Sequence, residues 1–314
     1  MTTVGKLLTA LVLAVPAVAA AQPGAHTDRR AISDQALGPI NSGAALQALA
    51  AVKPVTAPHA MVVTAQHLAT EVGVDILKRG GNAVDAAVAI GYALAVVQPC
   101  CGNIGGGGFM TVHLARGRNV FLDFREKATL KATFNMFRNA QNQVVRGRST
   151  GSYLAVGVPG TVMGLEAART RFGTMSRRAL MQPAIRLARE GYVLDEADAR
   201  LLDFRSREFA RHPNVAAIFL HDGKPYQAGQ RLEQPQLAHT LEMIERAGPS
   251  AFYTGTIARE IVAASRHNGG LLSLQDLRDY TVAWEAPTTC DYHGYEIVSA
   301  PPPSSGGTTI CEIL

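Results

Sequence analysis

Cysteine is scarce in this sequence, at four of 314 residues, which excludes a small scaffold held together by disulfides. Charge of either sign is modest: charged residues make up 18% and the formal net charge is +5. The pI is near 9.1, yet Lys and Arg are scattered and form no dense run, so nothing marks a nucleic-acid surface. Beyond the first residues no apolar stretch reaches the roughly 20 residues that span a bilayer. The nine His include no H-E-x-x-H pair, so a zinc hydrolase lacks its ligands, and no G-x-S-x-G elbow supplies a serine nucleophile. No internal repeat is present. Disorder is not the main description either, since 47% of residues are hydrophobic and the chain is long enough to bury a large core.

What is present begins with a secretory pattern. Lys6 supplies a positive start, Leu7–Val18 is apolar, and Ala17-Val18-Ala19 and Ala19-Ala20-Ala21 fit small-x-small cleavage. Pro16 interrupts the apolar run, which is too short to remain as an anchor. Residues 1–21 therefore read as a signal peptide, which places the mature protein in the periplasm or outside the cell. Residues 22–57, Ala-rich and without pattern, read as a mobile leader, and residues 58–314 as the folded part.

Periodicity predicts the elements of that part. Met61–Ala65 is a short apolar run suited to a buried strand, and Leu68–Arg79 has helical spacing stopped by Gly80-Gly81. Asn82 can cap a helix over Ala83–Val97, with Asp85 favouring its positive end. That helix is apolar on nearly every side and so belongs in the core. Strands are predicted at Met110–Leu114, Val120–Phe124, Leu154–Val158 and Tyr295–Ala300. Helices are predicted at Thr161–Arg171, Arg177–Glu190, Gln236–Ala247, Ile257–Ser265 and Leu274–Tyr280, the last capped by Ser273 with Asp276. The mixture lacks strict βαβ alternation, which predicts an α+β arrangement of helix and sheet layers. Thr308–Leu314 opens an apolar, helix-like run and stops without a cap, which predicts an incomplete chain; a frayed strand is the alternative.

Local chemistry is sparse. Gly105–Gly108 invites a phosphate-loop reading, but no Gly-Lys-Ser/Thr follows, Met110 breaks the G-x-G-x-x-G register, and a strand comes next instead of a helix. Close approach of a backbone or ligand is the better reading. Arg125 stands at a strand end, where a guanidinium can grip a carboxylate through two parallel hydrogen bonds; a surface ion pair is its commoner fate. Cys100 and Cys101 lack metal-ligand spacing. They read as a buried pair of thiols or as one bridge to Cys290 or Cys311, in preference to a bridge between neighbours. No catalytic role attaches to them, nor to Ser304-Ser305 among its Pro and Gly, and no metal or cofactor is called for.

Several stretches, taken in order and spacing, resemble the N-terminal half of the γ-glutamyltranspeptidase (glutathione hydrolase) family. They are Gly80-Gly81-Asn82-Ala83-Val84-Asp85-Ala86-Ala87-Val88-Ala89; Asn103-Ile104 with Gly105–Gly108, Phe109 and Met110; Asp123-Phe124-Arg125-Glu126-Lys127-Ala128; and Val156-Gly157-Val158-Pro159-Gly160-Thr161. Pro183–Gly191, Gly269–Leu277 and Pro301-Pro302-Pro303-Ser304-Ser305-Gly306-Gly307 complete the set, and Thr129 departs from it where the family often has Pro.

The resemblance implies an N-terminal-nucleophile hydrolase, a four-layer αββα sandwich incomplete in this chain. It implies a precursor that cuts itself into a large and a small subunit, and a nucleophilic Thr beyond Leu314 that attacks γ-glutamyl amides such as glutathione. It makes Arg125 the residue that binds the substrate α-carboxylate, the small subunit a partner, and this chain inactive alone. Thr308-Thr309 receives no catalytic role. A related cephalosporin or glutaryl acylase and a truncated, non-catalytic fragment are the alternatives.

Overall fold

The first helix among the described residues starts where Gln66 turns its side-chain carbonyl onto the Leu68 amide at 2.7 Å, closing one of the free donors of a helix N-terminus. The structure, a computed structural model, describes residues 55–314. The signal peptide and nearly all of the leader predicted above lie outside the described residues. Residues 56–314 form one compact unit.

Helix α1 (His67–Lys78) leads through Gly80-Gly81 into α2 (Ala83–Val97). The predicted cap of α2 is a full capping box: the Asn82 side chain accepts from the Asp85 amide at 2.9 Å, and the Asp85 carboxylate accepts from the Asn82 amide at 2.9 Å. Asp85 is wholly buried because it also accepts from the Thr174 amide and hydroxyl and the Met175 amide. Burial pushes its carboxyl pKa up, but these donors outweigh burial and hold it below the usual value.

An antiparallel hairpin follows, β1 (Phe109–His113) and β2 (Asn119–Asp123), in the register Met110↔Leu122 and Val112↔Val120. Next come a short helix α3 (Arg148–Gly151) and then α4 (Thr161–Phe172) and α5 (Arg177–Glu190). Strand β3 (Tyr192–Val193), α6 (Glu196–Phe209), α7 (Pro213–Phe219), and β4 (Leu220–His221), β5 (Lys224–Pro225) and β6 (Arg231–Leu232) form a peripheral stretch. Beyond it run α8 (Pro235–Ala247), α9 (Pro249–Tyr253), α10 (Thr256–His267) and α11 (Leu274–Arg278). Strands β7 (Ala283–Glu285), β8 (Thr288–Tyr292) and β9 (Tyr295–Ser299) and helix α12 (Gly306–Ile313) close the described chain.

Strand β2 is the middle of a sheet ordered β1-β2-β7, with Leu122 opposite Trp284. Helix α2 is the centre of the helical layer and packs on α1, α4 and α5, while α8 packs on α5. Its buried side chains run around the helix, as its unbroken apolar pattern predicts. At the edge of this layer Glu166 takes paired hydrogen bonds from Arg169 and from Arg177. Burial works against its charge, yet the two guanidinium groups prevail and lower its pKa to about 2.

Three expectations are corrected. Met61–Ala65 is not a buried strand: no partner strand lies beside it among the described residues, and Val63 is 81% exposed. Leu154–Val158 is a 3-10 turn at Tyr153–Ala155 followed by a single bridge, Val158 to Lys127, because Pro159 and Gly160 turn the chain into α4. The neighbours Cys100 and Cys101 pair with each other, and Cys290 pairs with Cys311, with none free among the described residues. The first pair sits in the turn that ends α2, where the Cys101 and Gly102 amides both donate to Gln98 O. Packing of α12 on β8 brings the second pair to a Cα separation of 5.9 Å, well inside bonding reach. Cys290 and Cys311 therefore satisfy each other and neither reaches back to the first pair.

Candidate functional site

Arg125 lies two residues beyond the end of β2, and its position comes from glycines on two other segments. A side chain at Gly107 would sit 2.6 Å from Phe124 O and 2.8 Å from Arg125 Cα. A side chain at Gly160 would overlap both Phe124 O and the Tyr280 hydroxyl. The Gly106 carbonyl ties these two glycine segments together, accepting from the Gly160 amide at 2.7 Å and the Thr161 amide at 3.0 Å. The glycine run thus serves a close approach of backbone to backbone, one of the two readings its sequence left open. It also prolongs the hairpin, since Gly108 and Phe124 exchange amide hydrogen bonds at 3.3 and 3.0 Å.

The Arg125 backbone is held at both polar groups. Its amide donates to Asp123 Oδ1 at 2.7 Å, and its carbonyl accepts from the Tyr280 hydroxyl at 2.8 Å. The side chain is exposed, lies 5.9 Å from the centre of the Phe109 ring, and forms no ion pair among the described residues. The surface ion pair that is the common fate of an Arg is therefore not what this one makes.

A cavity of about 520 Å³ opens beside it. Gly105, Arg125 and Lys127 contribute a polar wall, and Met136, Phe137 and Val156 an apolar one. The segment after Arg125 is anchored twice more. Lys127 exchanges amide hydrogen bonds with Val158 and extends its ammonium to Thr281 O at 2.7 Å, and the Leu130 amide donates to Asp276 Oδ1 at 2.6 Å. The other oxygen of Asp276 accepts from the Ser273 amide and hydroxyl, the cap predicted for α11. Thr129, the departure noted in the sequence, is buried against the cavity, and its hydroxyl has no hydrogen-bond partner among the described residues.

A cavity of mixed polarity lined by the Arg125 guanidinium, with Glu126 and Lys127 beside it, can hold a small carboxylate at one end and leave the rest of the ligand against apolar side chains. Ser304, Ser305, Thr308 and Thr309 are at the start of α12 and do not line this cavity. Among the described residues no cluster of His, Cys, Asp and Glu could hold a metal ion, and no helix is long and apolar enough to cross a membrane. What sequence reasoning missed is the support that Gly160, Asp276 and Tyr280 give to the Arg125 segment, Asp276 having been read only as a helix cap. Gly160 was visible as part of a motif, but Tyr280 carries no local signal at all.

Comparison with known proteins follows the same residues. The sequence model of the family described as Gamma-glutamyltranspeptidase matches residues 69–314. A glutathione hydrolase proenzyme of Pseudomonas sp. (strain A14) is 54% identical over 262 residues, covering 83% of this chain and 46% of that protein. A glutathione hydrolase proenzyme of Escherichia coli (strain K12) is 47% identical over 262 residues, covering 83% of this chain and 45% of its own length. The chain therefore spans less than half the length of either relative. Among solved structures, the γ-glutamyltranspeptidase of Helicobacter pylori superposes with a TM-score of 0.80 at 45% identity, over 82% of this chain and 74% of that one.

Proposed function

Because the chain belongs to the γ-glutamyltranspeptidase family, we propose that it is the large-subunit part of a γ-glutamyltransferase and glutathione hydrolase. The enzyme cleaves γ-glutamyl amides such as glutathione and passes the γ-glutamyl group to water or to the amine of an amino acid or peptide. Residues 58–314 supply the large-subunit part, 1–21 direct export to the periplasm or beyond, and 22–57 link the two. That relatives are named proenzymes supports a precursor cut into two subunits.

The observation that carries the reading is the exposed guanidinium of Arg125, without an ion pair among the described residues, at the edge of the 520 Å³ cavity. Its fork matches a carboxylate in two parallel hydrogen bonds, and Arg keeps its charge at every working pH. Gripping the α-carboxylate fixes one end of the glutamyl chain, so the γ-amide is presented at a set distance from the Arg. In this reading the nucleophile is an N-terminal Thr of the small subunit, in the half of the relatives that this chain does not span. Its hydroxyl attacks the γ-carbonyl carbon while its own amino group takes the proton. Backbone N–H groups hold the oxyanion, the amine leaves with that proton, and water or a second amine then attacks the ester to free the Thr. A glutaryl group carries a carboxylate at the position of the γ-glutamyl α-carboxylate, so Arg125 suits either acyl group; the higher identity to glutathione hydrolase proenzymes, 54% and 47% against 39% to the ACY 1 acylase proenzyme of Pseudomonas sp. (strain V22), favours the γ-glutamyl reading over that alternative.

The test is Arg125→Lys in the complete two-subunit protein. A point charge replaces a fork, so KM for a γ-glutamyl amide should rise roughly 10- to 100-fold while the melting temperature holds. Full affinity for the γ-glutamyl substrate in this variant would sink the assignment.

A further inference from the structure

Three groups from α11 and the connection that follows it to β7 hold the segment that carries Arg125: Asp276 at Leu130, Thr281 at Lys127, and Tyr280 at the carbonyl of Arg125 itself. We infer that Tyr280 is a positioning residue for substrate recognition, holding the Arg125 backbone so that the guanidinium meets its ligand already oriented; this rests on the function proposed above. Tyr280 is 3% exposed, and its hydroxyl donates to Arg125 O at 2.8 Å.

The ring is held from two sides. It stacks on Tyr253 with centroids 5.7 Å apart and planes 14° from parallel, and the Lys127 ammonium lies 5.1 Å from its centre. Tyr253 in turn donates to Pro159 O at 2.9 Å and accepts from the Met163 amide at 3.2 Å. The two tyrosines thus connect the end of β2 to the start of α4, the same pair of segments that Gly160 lets approach. Burial raises the Tyr280 pKa, and the nearby carboxylates of Asp123 and Glu126 raise it further. The hydroxyl therefore stays protonated and keeps donating.

Preorganisation of this kind acts on binding. A recognition Arg on a wandering backbone must be ordered when ligand arrives, which weakens affinity without altering the chemical step. A general acid or base role is a poor fit, because the proton is already directed at a backbone carbonyl.

The experiment is Tyr280→Phe in the complete protein, which keeps the ring stack and the contact with Lys127 and removes only the donor. KM for a γ-glutamyl amide should rise about five- to tenfold with kcat within twofold of the parent. Amide hydrogen exchange across residues 125–130 should speed up, with the rest of the protein unaffected. Unchanged KM with unchanged exchange overturns the inference. So does a fall in melting temperature and active fraction with KM unchanged, which is what a purely structural tyrosine produces. If the parent protein turns over no γ-glutamyl amide, the proposed function fails separately. Exchange at residues 125–130 then decides on Tyr280: faster exchange in the variant upholds the positioning role and equal exchange overturns it.

Discussion

Helix α2 lies among α1, α4 and α5 with Tyr92, Ala93 and Val96 all but fully buried, whereas on the sheet side Leu130 is 70% and Phe134 92% exposed. The two regions differ in what holds them. The helical layer is secured by side chains that interlock at core density, each touching many others. The corner around Arg125 is secured by backbone contacts at Gly107 and Gly160 and by a few side chains hydrogen-bonded to main chain. Interlocking spreads the load over many residues. A corner built from single hydrogen bonds concentrates it, so that geometry there can be lost while the fold survives.

Three measurements would break or sharpen that contrast. The largest stability effect belongs to the helical layer. Leu180 is fully buried in α5, and Leu180→Ala should cost about 3 kcal/mol in denaturant unfolding by removing transfer energy and leaving a cavity. Affinity for a γ-glutamyl ligand in the remaining folded protein should be unchanged, and a parallel loss would mean the two regions are one cooperative unit. Gly160→Ala comes next. Its Cβ meets main chain, which cannot swing aside, so about 2 kcal/mol is expected, with ligand affinity at Arg125 falling at least tenfold. Retained affinity would show that the corner tolerates displacement.

The smallest effect is at Glu166. Its folded pKa of about 2 lies below the ordinary 4.5, so its contribution is fully present above about pH 4.5 and is lost as pH falls towards 2. The stability gap between the parent and Glu166→Gln should therefore shrink between pH 5 and pH 3. A gap that stays constant would mean that the arginine pairs do not stabilise the charged form.

Much of the fold could be read in advance, and unevenly. Ala83–Val97 and Arg177–Glu190 have the predicted bounds, because the cap, the apolar spacing and the stop, Pro99 for the first and Gly191 for the second, are all local signals. Met61–Ala65 and Leu154–Val158 were misread because an apolar run becomes a strand only where a partner offers hydrogen bonds. Strand β8 went unseen: its hairpin turns at His293-Gly294, both at positive φ, and His gives a weaker turn signal than Asn or Asp. Arg125 rose above an ordinary surface Arg only through the family resemblance.

The residues by themselves determined where α2 and α5 begin and end, that α2 belongs inside, that glycines 105–108 serve close approach, and which family the chain resembles, whereas α6, α7 and α9 carried no signal that was read. Those properties depend on neighbours within a turn or on the order of motifs along the chain. Only the tertiary structure decided that Cys290 joins Cys311, that Gly160 and Gly107 both abut the Phe124 carbonyl, and that Tyr280 holds the carbonyl of a residue 155 positions away. Such contacts are chosen by how whole elements pack, and a single hydroxyl meeting a distant carbonyl leaves no periodic trace in the sequence from which it could be read.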